Sequence, residues 1–231
     1  MDTSGRDTSA AIHDDRGLLA CAGSTRPRAH ASELTALIQQ CVDSCGLRVG
    51  DITHVAVARG PGLFTGLRVG LVTAEVFAAV RELPLAGIGT LEALARRVRD
   101  QHSPVRPFAV VADARRREVY WQIFDPALES LAGPAVGPPM DLITPGGPLA
   151  PYATSGEVFG AAALLGGDNG HDVADDRLAA EVAAVAAARF RDGTEGQGTY
   201  SAVTPLYLRR PDVSMPAAVK SVLASAPKED V

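Results

Sequence analysis

A glycine-rich stretch at residues 60–68 constrains the fold of this chain more than any other part of its sequence. It follows an apolar run at residues 53–58 and precedes a helical pattern at 65–82, which Pro84 ends. Glycine accepts positive φ and close backbone approach, so the stretch predicts a tight turn from a buried strand into a helix. We assign a structural role in this turn to six residues: Gly60, Pro61, Gly62, Phe64, Thr65 and Arg68.

The start of the predicted helix is also a candidate phosphate site, because helix N-termini present free N–H groups and a favourable dipole to anions. We expect the hydroxyl of Thr65 to cap this helix. The stretch has neither the Gly-Lys-Ser/Thr of a P-loop nor the Gly-x-Gly-x-x-Gly spacing of a dinucleotide fold. The local sequence favours a structural turn over phosphate contact and leaves both open.

Small side chains recur at every fourth position along the same helix, at Gly66, Gly70, Ala74 and Ala78. A glycine inside a helix costs about 1 kcal/mol relative to alanine, a cost that close approach of another element can explain. Two interpretations stay open: packing inside the same domain, and a helix–helix interface with a second subunit. Larger apolar side chains lie nearby on the same predicted helix, at Val69, Val72, Val76 and Val80.

A second helix with an apolar face is predicted upstream, where Ser32 can cap a helix that runs to about Cys45. Gly46 then falls at the position where a left-handed residue ends many helices. We assign four residues of this face, together with the four small residues of the later helix, to a predicted partner interface. The four are Leu34, Leu37, Ile38 and Cys41.

Alternating and periodic apolar patterns predict the other elements. The expected strands are residues 8–12, 17–22, 85–88, 108–113 and 117–124, the first two forming a hairpin. Helices are expected at residues 90–100, 157–165 and 179–191, and an extended segment at 203–208. Residues 132–148 are rich in proline and glycine, and we expect no core from them.

Prolines at positions 104 and 107 interrupt the pattern and predict a domain boundary. We expect an N-terminal domain at residues 1–103, a reduced C-terminal domain at 104–212 and a loose tail at 213–231. Each half opens with a strand hairpin and continues with strand–helix alternation. The chain is therefore predicted to be α/β, with two related units rather than one wound sheet.

Composition limits the classes of function. A net charge of −5 argues against a large basic surface for nucleic acid. No apolar run is long enough to span a membrane, and the first residues do not form a signal peptide, so we expect a cytoplasmic location. The chain has three cysteines, Cys21, Cys41 and Cys45; we expect Cys41 and Cys45, which share an apolar helix face, to be packed, reduced thiols rather than metal ligands.

The sequence contains no recognisable catalytic constellation. His30 and Glu33 form the one histidine–carboxylate pair near a helix start, whereas a catalytic metal needs about three protein ligands. Neither a Gly-x-Ser-x-Gly elbow nor a His-Glu-x-x-His motif occurs. We therefore predict no catalytic, metal or cofactor-binding residue in this chain.

Five stretches together resemble the TsaB (YeaZ) family, the partner of TsaD in making threonylcarbamoyladenosine beside the tRNA anticodon. They are residues 1–4, 30–34, 60–71, 113–121 and 205–211. They follow the family order over nearly the whole chain. The block at residues 60–68 is specific to the superfamily, and the block at 113–121 points to TsaB.

The resemblance implies the actin/Hsp70/sugar-kinase (ASKHA) fold, with two RNase-H-like domains, the second reduced. It also implies a non-catalytic scaffold that pairs through its first helices with a TsaD-like transferase, in a complex with a TsaE-like ATPase. ATP and metal are then expected to bind to those partners. The chain is expected to reach tRNA only through the complex and to form a homodimer when it is alone. TsaD-like members carry His-x-x-x-His at this helix, whereas here His30 is followed by Leu34. Some members of the family carry an M22 peptidase label, but this sequence contains no residues that support peptidase chemistry.

The main alternative is an ASKHA-type transferase or kinase that binds ATP at residues 60–65. One departure from the family concerns the first strand. The family opens with four or more apolar residues before Asp-Thr-Ser, whereas here Met1 directly precedes Asp2. We expect either that this central strand is missing or that the true start lies upstream, and that an apolar extension raises thermal stability.

Overall fold

The computed structural model describes residues 1–26, 29–166, 170–174, 177–194 and 203–209. Its first half contains two small sheets. The antiparallel sheet pairs β1 (Thr8–Asp14) with β2 (Gly17–Ser24), and the parallel sheet pairs β3 (Val55–Gly60) with β4 (Leu85–Gly89). The helices of this half are α1 (His30–Ser44), α2 (Phe64–Arg81) and α3 (Thr90–His102).

The second half is built on a five-stranded mixed sheet in the order β7-β6-β5-β8-β9. Its strands are β5 (Phe108–Arg115), β6 (Glu118–Phe124), β7 (Ser130–Gly137), β8 (Val158–Gly160) and β9 (His171–Asp172). The short helices α4 (Pro139–Ile143) and α5 (Ala150–Ser155) connect β7 to β8, and α6 (Ala179–Arg191) follows β9. β5 is antiparallel to β6 and parallel to β8.

The largest buried apolar cluster crosses the midpoint of the chain. Leu94 of α3, Phe108 of β5 and Val182 of α6 belong to it and are fully buried. α6 packs on all four strands of the first half. Arg97 of α3 donates to the two carboxylate oxygens of Glu181 on α6 at 2.8 and 2.9 Å. The helix from the second half therefore covers the sheets of the first, and the division at residue 103 stays a prediction.

Several predicted elements are confirmed with small differences at their ends. The hairpin, the strand–turn–helix around the glycine-rich stretch and the strand–helix pair that follows it are all present. α6 has the predicted limits. Gly46 has a φ of 66°, and the N–H of Leu47 donates to the Val42 carbonyl at 3.1 Å, so α1 ends in the left-handed conformation that the sequence predicts.

Both predicted helix caps are wrong. α2 begins at Phe64 with Leu63 as its N-cap, and Thr65 lies exposed within the first turn. α1 begins at His30, and the hydroxyl of Ser32 donates to the carbonyl of Ala29 at 3.0 Å instead of accepting from the helix start. The observed N-caps, Leu63 and Ala29, lie two and three residues before the predicted ones, because packing of the apolar face fixes the first turn.

Two predictions for the second half are also wrong. The predicted helix at residues 157–165 is β8 followed by a 3-10 turn at Ala162–Leu165. Gly160 has a φ of 102° and lies against the carbonyl of Val111, which ends the strand and prevents a helix. Residues 132–148 do contribute to the core, since Leu142 and neighbouring Leu149 are buried there. The predicted tail at 213–231 lies outside the described residues.

Candidate interaction surface and cleft

The small-residue stripe of α2 faces the protein's own N-terminal segment. Gly66, Gly70, Ala74 and Ala78 are all buried. The Thr3 hydroxyl donates to the carbonyl of Gly66 at 2.7 Å and accepts from the N–H of Gly70 at 3.1 Å. A Cβ at either glycine would collide with Thr3. The glycines are therefore explained by close packing inside the same chain.

The apolar face of α1 is also buried within the chain. Leu34, Leu37 and Cys41 are buried, the last two in one cluster with Ala10 of β1, and the Cys41 thiol lies 3.3 Å from the carbonyl of Ala10. Ile38 is partly buried. The eight residues predicted as a partner interface are therefore mostly internal: seven of them form core, because α1 packs on β1 and β2 and α2 packs on β3.

The opposite face of α2 carries an exposed apolar row, called here the valine row: Val72, Val76 and Val80. Their exposed fractions are 57%, 57% and 77%. They lie four residues apart, so they align along one side of the helix. α2 is consequently apolar on both faces, and only one is covered by its own chain. The sequence contained this spacing, but it could not identify which face is buried.

The start of α2 is covered by residues 203–208. The Phe64 and Tyr207 rings lie 4.9 Å apart, and the Arg68 guanidinium lies 4.1 Å from the centre of the Phe64 ring. The N–H of Leu206 donates to the carbonyl of Arg59 at 2.7 Å. The predicted turn residues are therefore brought together by an extended segment from the far end of the chain, a contact that the local pattern did not indicate.

The glycine-rich turn is closed on its inner side by Ser4. The N–H of Leu63 donates to the Ser4 carbonyl at 2.8 Å, and a Cβ at Gly62 would collide with that carbonyl. The Ser4 carbonyl thus already accepts from the N–H of the α2 N-cap, one of the donors that an anion at this helix start would use. This geometry favours the structural interpretation of the turn.

A buried polar cluster lies beneath the turn. One carboxylate oxygen of Asp2 accepts from the N–H of Ser4 at 2.8 Å and from its hydroxyl at 2.6 Å. Burial raises the pKa of Asp2 above its usual range, against the lowering effect of these bonds. The hydroxyl of Thr8 lies 2.7 Å from Nδ1 of His30. These contacts fix the N-terminal segment below α2.

His30 and Glu33 contact different partners and do not form a shared site. Glu33 forms a 2.6 Å ion pair with Arg26, and hydrogen bonds from Ser24 and Arg26 lower its pKa. Over the part of the chain that the structure describes, no three histidine, cysteine or carboxylate side chains lie close enough to share a metal ion.

A cleft of about 520 Å³ lies between the N-terminal segment and the second-half sheet. Arg6, Thr90, Asp113, Arg115 and Tyr120 line it. Asp113 pairs with Arg115 at 3.0 Å. Within the described residues, the Thr90 hydroxyl is buried and has no hydrogen-bond partner. Burial also raises the pKa of the Tyr120 phenol.

Comparisons with known proteins agree on one family. The family model described as "TsaD: tRNA N6-adenosine threonylcarbamoyltransferase" matches residues 24–211. An uncharacterized protein of Mycobacterium tuberculosis is 33% identical over 192 residues, which cover 83% of this chain and 80% of that protein. The TsaB protein of Escherichia coli K12 is 37% identical over 95 residues, or 41% of each chain. The chain belongs to the TsaB (YeaZ) family.

The structural comparison gives the same fold. YeaZ from Pseudomonas aeruginosa superposes on this TsaB-family chain with a TM-score of 0.72 at 23% identity, covering 90% of this chain and 97% of that one. The relatives in Escherichia coli and Bacillus subtilis are named tRNA threonylcarbamoyladenosine biosynthesis proteins. No helix formed by the described residues is long and apolar enough to cross a membrane.

Proposed function

We propose that this TsaB-family chain is a non-catalytic subunit of the cytoplasmic complex that installs threonylcarbamoyl on the adenosine next to the tRNA anticodon. It pairs with a TsaD-like transferase and works with a TsaE-like ATPase. ATP and metal belong to these partners, and tRNA is reached only through the complex. The proposed architecture is ASKHA, with two RNase-H-like domains of which the second is reduced. The names of the relatives and the family match support this role.

The surroundings of His30 support a non-catalytic role. The residue four positions later on α1 is Leu34, which is 1% exposed and packs in the core. Because leucine has no metal-ligating atom, the next turn of this helix offers no second ligand to a metal ion. His30 itself is engaged by the Thr8 hydroxyl. Since a catalytic metal needs about three protein ligands, this helix start is unsuited to hold one.

The valine row of α2 is the observation that carries the proposed partner role. It extends over two helical turns, roughly 12 Å at 1.5 Å per residue. A contiguous exposed apolar row on a small protein typically marks a partner site. An apolar helix face of the TsaD-like partner is its proposed occupant. Without TsaD, the row can pair with its own copy around a two-fold axis, which gives the proposed homodimer.

Val76→Asp tests this surface at its centre. A carboxylate in the middle of an apolar contact has to lose its hydration without gaining a partner. We expect the affinity for the cognate TsaD-like protein, measured by titration calorimetry, to fall at least tenfold. We also expect the homodimer to dissociate in analytical ultracentrifugation. The melting temperature should change by less than about 2 °C, because Val76 is already solvent-exposed.

Val105→Asp is the matched control. Val105 is 85% exposed and lies in the connection between α3 and β5, outside α2. The Val105→Asp substitution adds the same charge and should leave both the binding of the TsaD-like protein and the homodimer unchanged. Equal partner binding by the Val76 variant and the unmodified chain would place the contact elsewhere. Modification of tRNA by the metal-stripped chain without partners would contradict the non-catalytic role.

A second candidate is an ASKHA-type transferase or kinase that binds ATP at residues 60–65. The cleft of about 520 Å³ beside the turn favours it, because the cationic Arg6 and the side chain of Thr90 line that space. The Ser4 carbonyl at the helix start disfavours it. Calorimetric titration of the purified chain with ATP and Mg²⁺ distinguishes the two, since only the enzyme should bind them at micromolar concentration.

A further inference from the structure

The hairpin of β5 and β6 turns through two residues that a tight turn disfavours. Arg115 pairs with Glu118, so Arg116 and Arg117 form a two-residue loop. Their φ angles are 55° and 63°, and a type I′ turn requires such positive values at both central positions. Asn-Gly or Asp-Gly is the usual sequence there, because other side chains are strained in the left-handed region. The chain therefore keeps two arginines in this loop at a cost in local stability.

The base of this loop is joined to the far end of the chain by Arg209. The guanidinium of Arg209 donates to the carbonyl of Ala114 at 3.2 Å and pairs with Glu118 at 3.2 Å. A pocket of about 180 Å³ lies between the hairpin and residues 206–209. Its lining includes two cations and two aromatic rings: Arg115, Arg209, Phe64 and Tyr207.

The loop and the pocket form one surface of cations and rings, called here the arginine–aromatic surface. Its residues are Phe64, Arg68, Arg115, Arg116, Arg117 and Tyr207. All four of its arginines are exposed, and one of them, Arg115, pairs with Asp113 at 3.0 Å. Positive charge is thus concentrated here on a chain whose net charge is −5.

Arginines beside exposed rings suit an unpaired nucleotide better than an acidic peptide. Bases outside a helix stack on aromatic rings and guanidinium planes, and phosphates accept charge-assisted hydrogen bonds from arginine. The Tyr207 ring is 38% exposed and lies 4.9 Å from the Phe64 ring, which Arg68 covers at 4.1 Å. An acidic peptide would use the charges and leave the rings without a function. Single-stranded RNA uses both.

We propose that the arginine–aromatic surface contacts an unpaired segment of the tRNA within the complex, with phosphates on the loop arginines and a base on the Tyr207 ring. This inference rests on the proposed function, because the TsaD-like partner supplies the other RNA contacts. A few phosphate contacts alone bind weakly and only at low salt. Linked to the contacts of the partner, they raise the affinity of the whole complex through effective concentration.

Arg116→Asn combined with Arg117→Gly tests the loop in the full chain. The double variant removes two charges and supplies the residues that the turn favours, so we expect the melting temperature to rise or stay equal. The affinity for a single-stranded RNA of about ten nucleotides, measured by fluorescence anisotropy at low salt, should fall at least roughly fivefold. The slope of log affinity against log salt should become shallower by about one. A purely structural loop would leave RNA affinity unchanged.

Two further variants separate charge, stacking and position. Arg16→Asn combined with Arg191→Gln removes the same charge from exposed sites at the β1–β2 turn and the end of α6, and should keep RNA affinity within about twofold. Tyr207→Leu removes the ring and keeps an apolar side chain. It should weaken RNA binding roughly threefold or more without changing the salt slope, because stacking is not ionic.

Equal RNA affinity of the loop variant and the original chain would overturn the arginine–aromatic surface, and so would an equal loss in the Arg16 and Arg191 control. If the loop variant keeps RNA affinity but no longer binds a polyglutamate peptide, the occupant is an acidic protein segment and the RNA assignment is wrong. These titrations use the full chain alone, whereas calorimetry with the TsaD-like protein tests the proposed function. Failure of one is therefore distinguishable from failure of the other.

Discussion

At the scale of single residues, the amino group of Met1 shows how burial sets a pH dependence. The group lies between β1 and β3, although Met1 as a residue is only partly buried. Burial lowers its pKa from 8.0 to about 6. The unfolded chain keeps the ordinary value, so between pH 6 and pH 8 it binds more protons than the folded chain. Stability therefore rises with pH across this window.

We expect the free energy of unfolding in urea to increase between pH 6 and pH 8 by up to about 2–3 kcal/mol relative to an N-terminally acetylated chain. Acetylation removes the charge and keeps the titratable groups that surround it: Asp2, Cys21, Cys41 and His54. Burial raises the pKa values of both thiols, which keeps them protonated in this window. Parallel pH curves for the two chains would contradict the prediction.

Gly70 gives a second prediction at this scale. Alanine usually stabilises a helix interior by about 1 kcal/mol relative to glycine. Here its Cβ would collide with the Thr3 hydroxyl. We expect Gly70→Ala to lower the free energy of unfolding in urea by about 1–3 kcal/mol. Gly50→Ala is the control, since a Cβ there meets nothing within 4 Å, and should stay within about 0.5 kcal/mol. A gain in stability at Gly70 would show that the N-terminal segment can move aside.

At the scale of elements, long periodic segments were predictable and short apolar runs were not. The limits of α6 were predictable because seven of its thirteen residues are alanine, the strongest helix former, and Val182, Val185 and Ala186 recur at helical spacing. Residues 157–165 carry a run too short to separate strand from helix. Their structure depends on pairing with β5 and on a positive φ at Gly160, neither of which a local pattern contains.

The candidate interface shows the same limit. A glycine at every fourth position indicates that something approaches the helix backbone, but not what approaches it. The N-terminal segment supplies that contact through Thr3. Because α2 is apolar on both sides, the sequence left open which side is core. Burial of the other side then leaves the valine row as the exposed side of the helix.

Arg97 gives a prediction at this scale because it joins α3 to α6. Its side chain is 11% exposed and that of Glu181 is 17% exposed. Arg97→Met leaves a largely buried carboxylate without its partner, so we expect the free energy of unfolding in urea to fall by about 2–4 kcal/mol. Arg96→Met is the control, since Arg96 pairs with the half-exposed Asp100, and should cost less than about 1 kcal/mol. Equal losses would mean that the α3–α6 pair contributes no more than a surface pair.

At the scale of the whole molecule, segments of the second predicted domain cover parts of the first. α6 packs on the first-half sheets, and residues 203–208 cover the start of α2. The sequence predicted that each segment is helical or extended, but not that both return to the first half. Such contacts join residues more than a hundred positions apart, for which local periodicity contains no signal.

We expect a fragment of residues 1–103 to lack a cooperative melting transition in circular dichroism. Without α6, the fragment exposes the faces of β1 and β3 that the helix covers. The full chain should melt in one cooperative step, and mixing the fragment with residues 104–231 should restore that step if the halves reassociate. A sharp, independent transition of the fragment would instead support a self-sufficient domain that ends near residue 103.

The hydrogen bond between Leu206 and Arg59 also bears on how the chain is made. A ribosome adds roughly 5–20 residues per second, so roughly 7–30 s separate the synthesis of these two residues. During that interval the turn before α2 exists without the segment that finally covers it. Contacts of such large sequence separation also slow folding. The glycine-rich turn, the most diagnostic stretch of the sequence, is therefore among the last parts of the nascent protein to reach its final packing.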